Sequence, residues 1–209
     1  MSTALMFGGA FNPPTAAHLL AADTARKAVD FDKVIFVPTK QVYVEKDQGK
    51  DFAFPDQERL DMLRMISISR PWMEVSAYEL EQTSQPRSYE TLCWLREQGY
   101  ELRLLMGSDK LPELEHGWLH VEEICRQFGI VCMSRSHEDP ERLIQNDPYL
   151  RSLSPYITIV HLPEETQDIS STKVRQKYRE IQEDLKELEG MLPEELEGLK
   201  PQLLKGETL

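Results

Sequence analysis

Gly8-Gly9-Ala10-Phe11-Asn12-Pro13-Pro14-Thr15-Ala16-Ala17-His18-Leu19 directly follows the apolar run Ala4-Leu5-Met6-Phe7. A short hydrophobic run ending in paired glycines, then prolines, then helix formers from Ala16 to Ala28, reads as strand, tight loop and helix. Such a loop can cradle phosphate. Without a Cβ at Gly8 and Gly9 the backbone can approach an anion, and a helix starting near Thr15 would aim unpaired N–H groups at the same spot. His18, one turn in, would add a donor or a positive charge. A strand-to-helix turn that merely needs glycine accounts for the same residues equally well.

Working outward, Lys33-Val34-Ile35-Phe36-Val37-Pro38 is a continuous apolar run closed by proline, the pattern of a strand buried on both faces of a parallel sheet. Thr39 to Pro55 has little periodicity and reads as a loop beyond that strand, where ligands are often held. Asp56 starts a helix with Leu60, Leu63, Met65 and Ile66 largely on one side, ending before Arg70-Pro71. Trp72 to Ser76 follows as a third strand, Glu79 to Arg87 as a polar loop, and Ser88 to Gln98 as a helix. Leu102 to Met106 is a further strand running into Gly107-Ser108-Asp109. Helical pattern covers Lys110 to Glu115 and His120 to Phe128, with Gly129 as its stop. Ile130 to Met133 and Tyr156 to Val160 complete the strands, with a surface helix over Pro140 to Asn146 between them. Strands alternating with helices predict an α/β, Rossmann-like doubly wound parallel sheet.

Beyond Arg175 the pattern changes. Ile181, Leu185, Leu188, Leu192, Leu196, Leu199 and Leu203 recur at steps of four and three, interrupted by Gly190 and Pro193. Two amphipathic helices laid against the domain fit this spacing better than an oligomerising coiled coil, because the break interrupts any long heptad run. The predicted division is therefore residues 1–179 as the α/β domain and 180–209 as a C-terminal helical extension that contributes packing rather than chemistry, with a homo-oligomer left open.

Composition limits the function. A net charge of −12 over 209 residues argues against a general nucleic-acid binder or an anionic-membrane binder, since either requires a broad basic surface. A nucleotide needs only a small cluster of cations, and His18, Lys46, Arg135, Lys173 and Arg175 are candidates. Cys93, Cys125 and Cys132 have no CxxC spacing, so buried thiols are expected rather than a disulfide framework or zinc site. The first strand begins within a few residues and no apolar run reaches the roughly 20 residues of a spanning helix, which points to the cytoplasm.

Near the other end, Asp168-Ile169-Ser170-Ser171-Thr172-Lys173-Val174-Arg175 looks like a helix start with hydroxyls at the cap and Arg175 one turn inside. An ordinary cap with an exposed arginine would read the same. Together the two stretches resemble the nucleotidyltransferase superfamily, with its HxGH or TxxH loop and ISSTxxR helix. Gly107-Ser108-Asp109 with Trp118, the run from Gly129 to Arg135, and Tyr89-Glu90-Thr91-Leu92 ahead of Trp94-Leu95-Arg96 resemble the nicotinamide/nicotinate mononucleotide adenylyltransferases. The match runs from about Leu5 to about Arg179, and its loop and ISSTKxR ending look closer to the eukaryotic-type enzymes.

That resemblance implies adenylyl transfer from ATP, with Mg²⁺ carried on the ATP, to nicotinamide or nicotinate mononucleotide. It implies His18, Lys46 and Arg175 as catalytic. Thr15 stands in place of the first histidine of HxGH and Asn12 in place of that form's aspartate. ATP would lie against Gly8, Gly9, Phe11, Thr15, His18, Gly107, Asp109, Ile169, Ser170, Ser171, Thr172 and Arg175. The pyridine nucleotide would lie against Gly9, Ala10, Lys46, Glu90, Thr91 and Trp118, with Trp118 stacking on the ring. Ser88 stands where eukaryotic-type members carry a second tryptophan, a departure from their two-sided stack. Asp109, read from its position alone, could equally cap the following helix. His116, His120, His137 and His161 lack metal-ligand spacing and read as solvated or structural. Phosphopantetheine adenylyltransferase, with a similar loop and ending, and a nucleotide-binding regulator without turnover are the competing expectations.

Overall fold

The computed structural model describes residues 1–46, 53–134, 139–163 and 190–199. Six strands form one sheet: β1 (Ser2–Gly9), β2 (Lys33–Pro38), β3 (Met73–Val75), β4 (Tyr100–Gly107), β5 (Ile130–Ser134) and β6 (Ile157–His161). Their spatial order is β3-β2-β1-β4-β5-β6 and every pairing is parallel. The predicted doubly wound sheet is what the chain forms. Successive strand residues point to opposite faces, and each face is covered. Leu5, Val34, Phe36, Leu105 and Val131 pack on one side with α1 (Ala16–Ala28) and α3 (Asp56–Ser67). Ala4, Met6, Ile35, Leu104 and Ile130 pack on the other with α5 (Ser88–Glu97) and α6 (Val121–Gln127). The strand order reverses at β1, which has β2 on one side and β4 on the other. A crevice opens at that switch point beyond the carboxyl ends of the strands.

Several local expectations are corrected. The segment after β2 is not all loop: α2 (Gln41–Lys46) forms there, and Val44, Ala53 and Phe54 are buried. Its Gln41 N–H donates to Asp56 Oδ1 at 2.6 Å, which ties it to the start of α3. The polar stretch after β3 contains α4 (Tyr78–Glu81), whose Glu79 is buried. On α3, Met65 is exposed while Arg59, Met62, Leu63 and Ile66 are buried. Met65 stands two residues from Leu63, about 200° away around the helix, so it leaves the buried stripe. The helical pattern after β4 is a 3-10 turn, Ser108–Glu113. The surface helix α7 (Pro140–Asn146) is followed by α8 (Pro148–Leu153), capped by Asp147 Oδ1 on the Leu150 N–H at 3.0 Å. The three cysteines are free thiols, two of them buried.

Of the C-terminal segment, Gly190 to Leu199 is described and ends in a 3-10 turn, Glu194–Leu199. Met191, Leu192 and Leu196 are buried in the same core as α1 and α3. The carbonyl of Met191 accepts from the Ala16 N–H at 3.1 Å. The expected first tail helix lies outside the described residues.

Candidate active site

The crevice encloses about 890 Å³. Its lining includes Gly8 to Phe11, Thr15 and His18 from the first loop and helix, Gly107 to Lys110 from the end of β4, and Trp118. Residues 100 positions apart in the chain meet here because β1 and β4 are paired neighbours, with Phe7 opposite Leu105.

Thr15 and His18 form a reciprocal cap on α1. The Thr15 N–H donates to His18 Nδ1 at 3.0 Å, Thr15 Oγ1 lies 2.7 Å from the same nitrogen, and the His18 N–H reaches Thr15 Oγ1 at 3.4 Å. An Nδ1 that accepts from a backbone amide carries no proton, so in this arrangement His18 is a neutral ring whose donor is Nε2–H. The ring stands edge-on to Phe11, with centroids 5.3 Å apart and planes at 72°. The expected row of unpaired helix-start amides is therefore corrected. Thr15 N–H is used by His18, Ala16 N–H by Met191 and His18 N–H by Thr15, so two orphan donors are satisfied within the cap itself and one by the distant C-terminal segment.

Gly9 is a glycine beside a buried ring, whereas Gly107 is approached only by the movable end of the Asp109 side chain. A Cβ on Gly9 would stand 3.2 Å from the Phe11 ring, and one on Gly107 would stand 2.4 Å from Asp109 Oδ1. Asp109 folds back over Gly107 and is exposed to the crevice, with Oδ2 3.6 Å from Lys110 Nζ. It caps no helix: the 3-10 turn begins after Gly107 and has no side-chain cap.

Four residues hold the site together, and a local reading passes over three of them, Arg59, Glu79 and Gln85. Arg59 is fully buried, and its guanidinium donates to the carbonyls of Ala10 (2.6 Å), Phe54 (3.0 Å) and Thr39, and to Asp56 Oδ1 (2.6 Å). It thereby joins the loops beyond β1 and β2 to the start of α3. Burial pulls its pKa below the usual arginine value, and Asp56 opposes that shift. Asn12 completes the junction, its Oδ1 accepting from the Phe54 N–H at 2.8 Å. Glu79 faces the crevice and accepts from the Thr91 hydroxyl at 2.8 Å and from Gln85 Nε2. Burial pushes its carboxyl up to about 7, against the lowering by those two donors. Gln85 Oε1 accepts from the Lys40 N–H at 2.8 Å, linking the Gln85–Ser88 wall to the end of β2. Arg59 had a signal in the sequence, a charge in the apolar stripe of α3; Glu79 had none.

Glu90 and Thr91 are brought near but do not line the crevice among the described residues. Glu90 is exposed and caps α5 through the Arg87 N–H at 2.7 Å, while Thr91 is buried behind Glu79. Trp118 is half-buried and does line it. Lys46 ends α2, but its side chain, together with Arg135, Ile169, Ser170, Ser171, Thr172, Lys173 and Arg175, lies outside the described residues. Of the other histidines, His120 stacks on Tyr89 at 5.0 Å and His161 bridges Ser134 and Glu141 at 2.8 Å each.

A family model described as cytidylyltransferase-like matches residues 6–177, from β1 through the late Ser-Ser-Thr stretch. The chain belongs to that family. Within it, the chain is 31% identical over 178 residues to a probable nicotinate-nucleotide adenylyltransferase of Carboxydothermus hydrogenoformans, covering 84% of this chain and 85% of the relative. A protein of the same description from Caldicellulosiruptor saccharolyticus is 29% identical over 175 residues, covering 84% and 86%. The fold of this cytidylyltransferase-like chain is also that of the Plasmodium falciparum nicotinic acid mononucleotide adenylyltransferase complexed with NaAD, at a TM-score of 0.71 and 17% identity over 98% of this chain and 95% of that one. Among the described residues no helix is long and apolar enough to cross a membrane.

Proposed function

We propose that this chain transfers the adenylyl group of ATP to a pyridine mononucleotide, nicotinate or nicotinamide, releasing pyrophosphate. The observation that carries the reading is the crevice at the β1/β4 switch point, where a Gly-Gly loop, a tautomer-fixed His18 and Trp118 meet in a chain of this family. The two ends of the crevice suit the two halves of the problem. Gly8, Gly9 and His18 Nε2–H offer close approach and a donor to phosphate. Trp118 offers a ring face to the pyridine.

In the reaction an oxygen of the acceptor's 5′-phosphate forms a bond to the α-phosphorus of ATP, and the bond to the bridging oxygen breaks as pyrophosphate leaves. No protein nucleophile is needed. The work of the protein is to hold the two anions in line and to stabilise charge gathering on the leaving group. His18 donates to those oxygens from a ring fixed in advance by Thr15, so little reorganisation is required at the moment of transfer. Lys46, Arg175 and the hydroxyls of Ser171 and Thr172 are proposed to add the remaining phosphate contacts. Mg²⁺ is proposed to arrive on the triphosphate. Among the described residues, the crevice acids Asp109 and Glu113 each turn to Lys110, at 3.6 and 2.9 Å. The compartment we propose is the cytoplasm.

The test is pyrophosphate release with ATP-Mg²⁺ and one acceptor at a time: nicotinate mononucleotide, nicotinamide mononucleotide or phosphopantetheine. Turnover with a pyridine acceptor supports the reading. Turnover with phosphopantetheine alone, or nucleotide binding with no turnover at all, overturns it.

A further inference from the structure

Among the described residues, the cation in the acceptor half of the crevice is Arg87. It stands immediately before α5, is exposed, and lines the crevice. Tyr89, two residues on, stacks against His120 at 5.0 Å, and Gln127 Nε2 donates to the Tyr89 hydroxyl at 3.0 Å. Those contacts bring the start of α5 against the segment that carries Trp118, so Arg87 and Trp118 share one end of the crevice. The other end is occupied by the Thr15–His18 cap at the start of α1.

Arg87 has no carboxylate within ion-pair distance among the described residues, whereas Lys110, the other crevice-lining lysine or arginine described, is held by Asp109 and Glu113. Glu79 does not neutralise it: the buried carboxyl is pushed up by burial and is lowered only by Thr91 and Gln85, with no contribution from a cation. The segment carrying Arg87 is also held in place. Gln85 is tied to Lys40 and Glu79, and the Arg87 N–H is tied to Glu90. A guanidinium with donors to spare, on a fixed wall beside an aromatic face, matches a planar aromatic acid.

We infer that Arg87 reads the substituent of the acceptor's ring, pairing with a carboxylate and thereby selecting nicotinate over nicotinamide mononucleotide. This rests on the adenylyl-transfer reading. A carboxylate accepts two parallel N–H bonds from the fork, while a carboxamide offers one neutral oxygen and an NH₂ that faces the cation unfavourably.

The experiment compares the wild type with Arg87→Gln and Arg87→Lys in steady-state assays with both pyridine acceptors. In Arg87→Gln the ratio of kcat/KM for nicotinate to that for nicotinamide mononucleotide should fall about 10- to 100-fold, the range of a lost charge-assisted hydrogen bond. Arg87→Lys should recover part of the ratio, because the charge remains and the fork does not. A ratio that stays within about threefold in both variants, whether activity is kept or lost, overturns the assignment and marks Arg87 as a phosphate contact or a surface charge. Wild-type protein that uses neither pyridine acceptor overturns the adenylyl-transfer reading itself, and this inference with it.

Discussion

Arg59 Nη1 donates to the carbonyl oxygen of Ala10 at 2.6 Å, so a fully buried cation on α3 holds the backbone of the proposed phosphate loop. The same group also donates to the carbonyls of Phe54 and Thr39, so with Ala10 it holds three carbonyls from different loops. Removing the guanidinium should cost at least about 3 kcal/mol, since each orphaned buried acceptor costs about 1–3 kcal/mol. Arg59→Leu is expected to lower the urea midpoint accordingly. Arg59→Lys should rescue less than half, because one ammonium cannot span three loops. An Arg59→Leu protein with an unchanged midpoint and slope would remove this junction from the account.

His18→Ala should lower kcat by about 10²-fold or more, the typical loss of one preorganised donor to developing charge. It also removes the acceptor of the Thr15 N–H, so a stability loss of about 1 kcal/mol is expected alongside. Thr15→Val separates the two effects, since it leaves the imidazole but takes away its hydroxyl partner and cap. Near-wild-type kcat in a folded His18→Ala protein would end the assignment of His18.

Glu79 should make stability fall with rising pH. Its folded pKa of about 7 lies above the ordinary 4.5, so between those values the folded state keeps a proton that the unfolded state has released. The contribution is complete below about pH 4.5, declines up to about pH 7 and is then flat; at roughly 1.4 kcal/mol per unit it is on the order of 3 kcal/mol. Thermal unfolding at pH 5 and pH 8 should therefore show a smaller decline in Glu79→Gln than in the wild type. Parallel curves would mean that Glu79 titrates normally.

Trp118→Ala should raise the KM for the pyridine mononucleotide much more than the KM for ATP. Loss of a stacking aromatic is worth roughly 1–3 kcal/mol, an expected weakening of about 5- to 100-fold. Equal weakening for both substrates, with the fold verified by circular dichroism, would make Trp118 a core residue.

The segment after Gly190 should be needed for stability. Leu196 is fully buried against α1 and α3, and Leu196→Ala should cost about 2–5 kcal/mol. Because the Met191 carbonyl holds the Ala16 N–H beside Thr15, deleting residues 190–209 should depress turnover as well as solubility, where the leucine spacing by itself had suggested packing alone. A soluble truncated protein with full turnover would uncouple this segment from the first loop.

Sequence by itself determined the layered fold, because alternation of apolar strands with amphipathic helices is a local, periodic property, and Val34 to Val37 or Leu104 to Met106 carry it whatever surrounds them. It also determined the crevice residues that sit at strand ends, Gly8 to Phe11, Gly107 and Asp109, since a parallel sheet sends those ends to one side. Tertiary structure alone decided the rest. Whether the amides at the start of α1 are open depended on Met191, more than 170 positions away. Glu79, placed in a polar loop, and Arg59, not singled out at all, became buried hubs because burial and hydrogen-bond partners come from which chain segments are packed together, and no local pattern of residues encodes that packing.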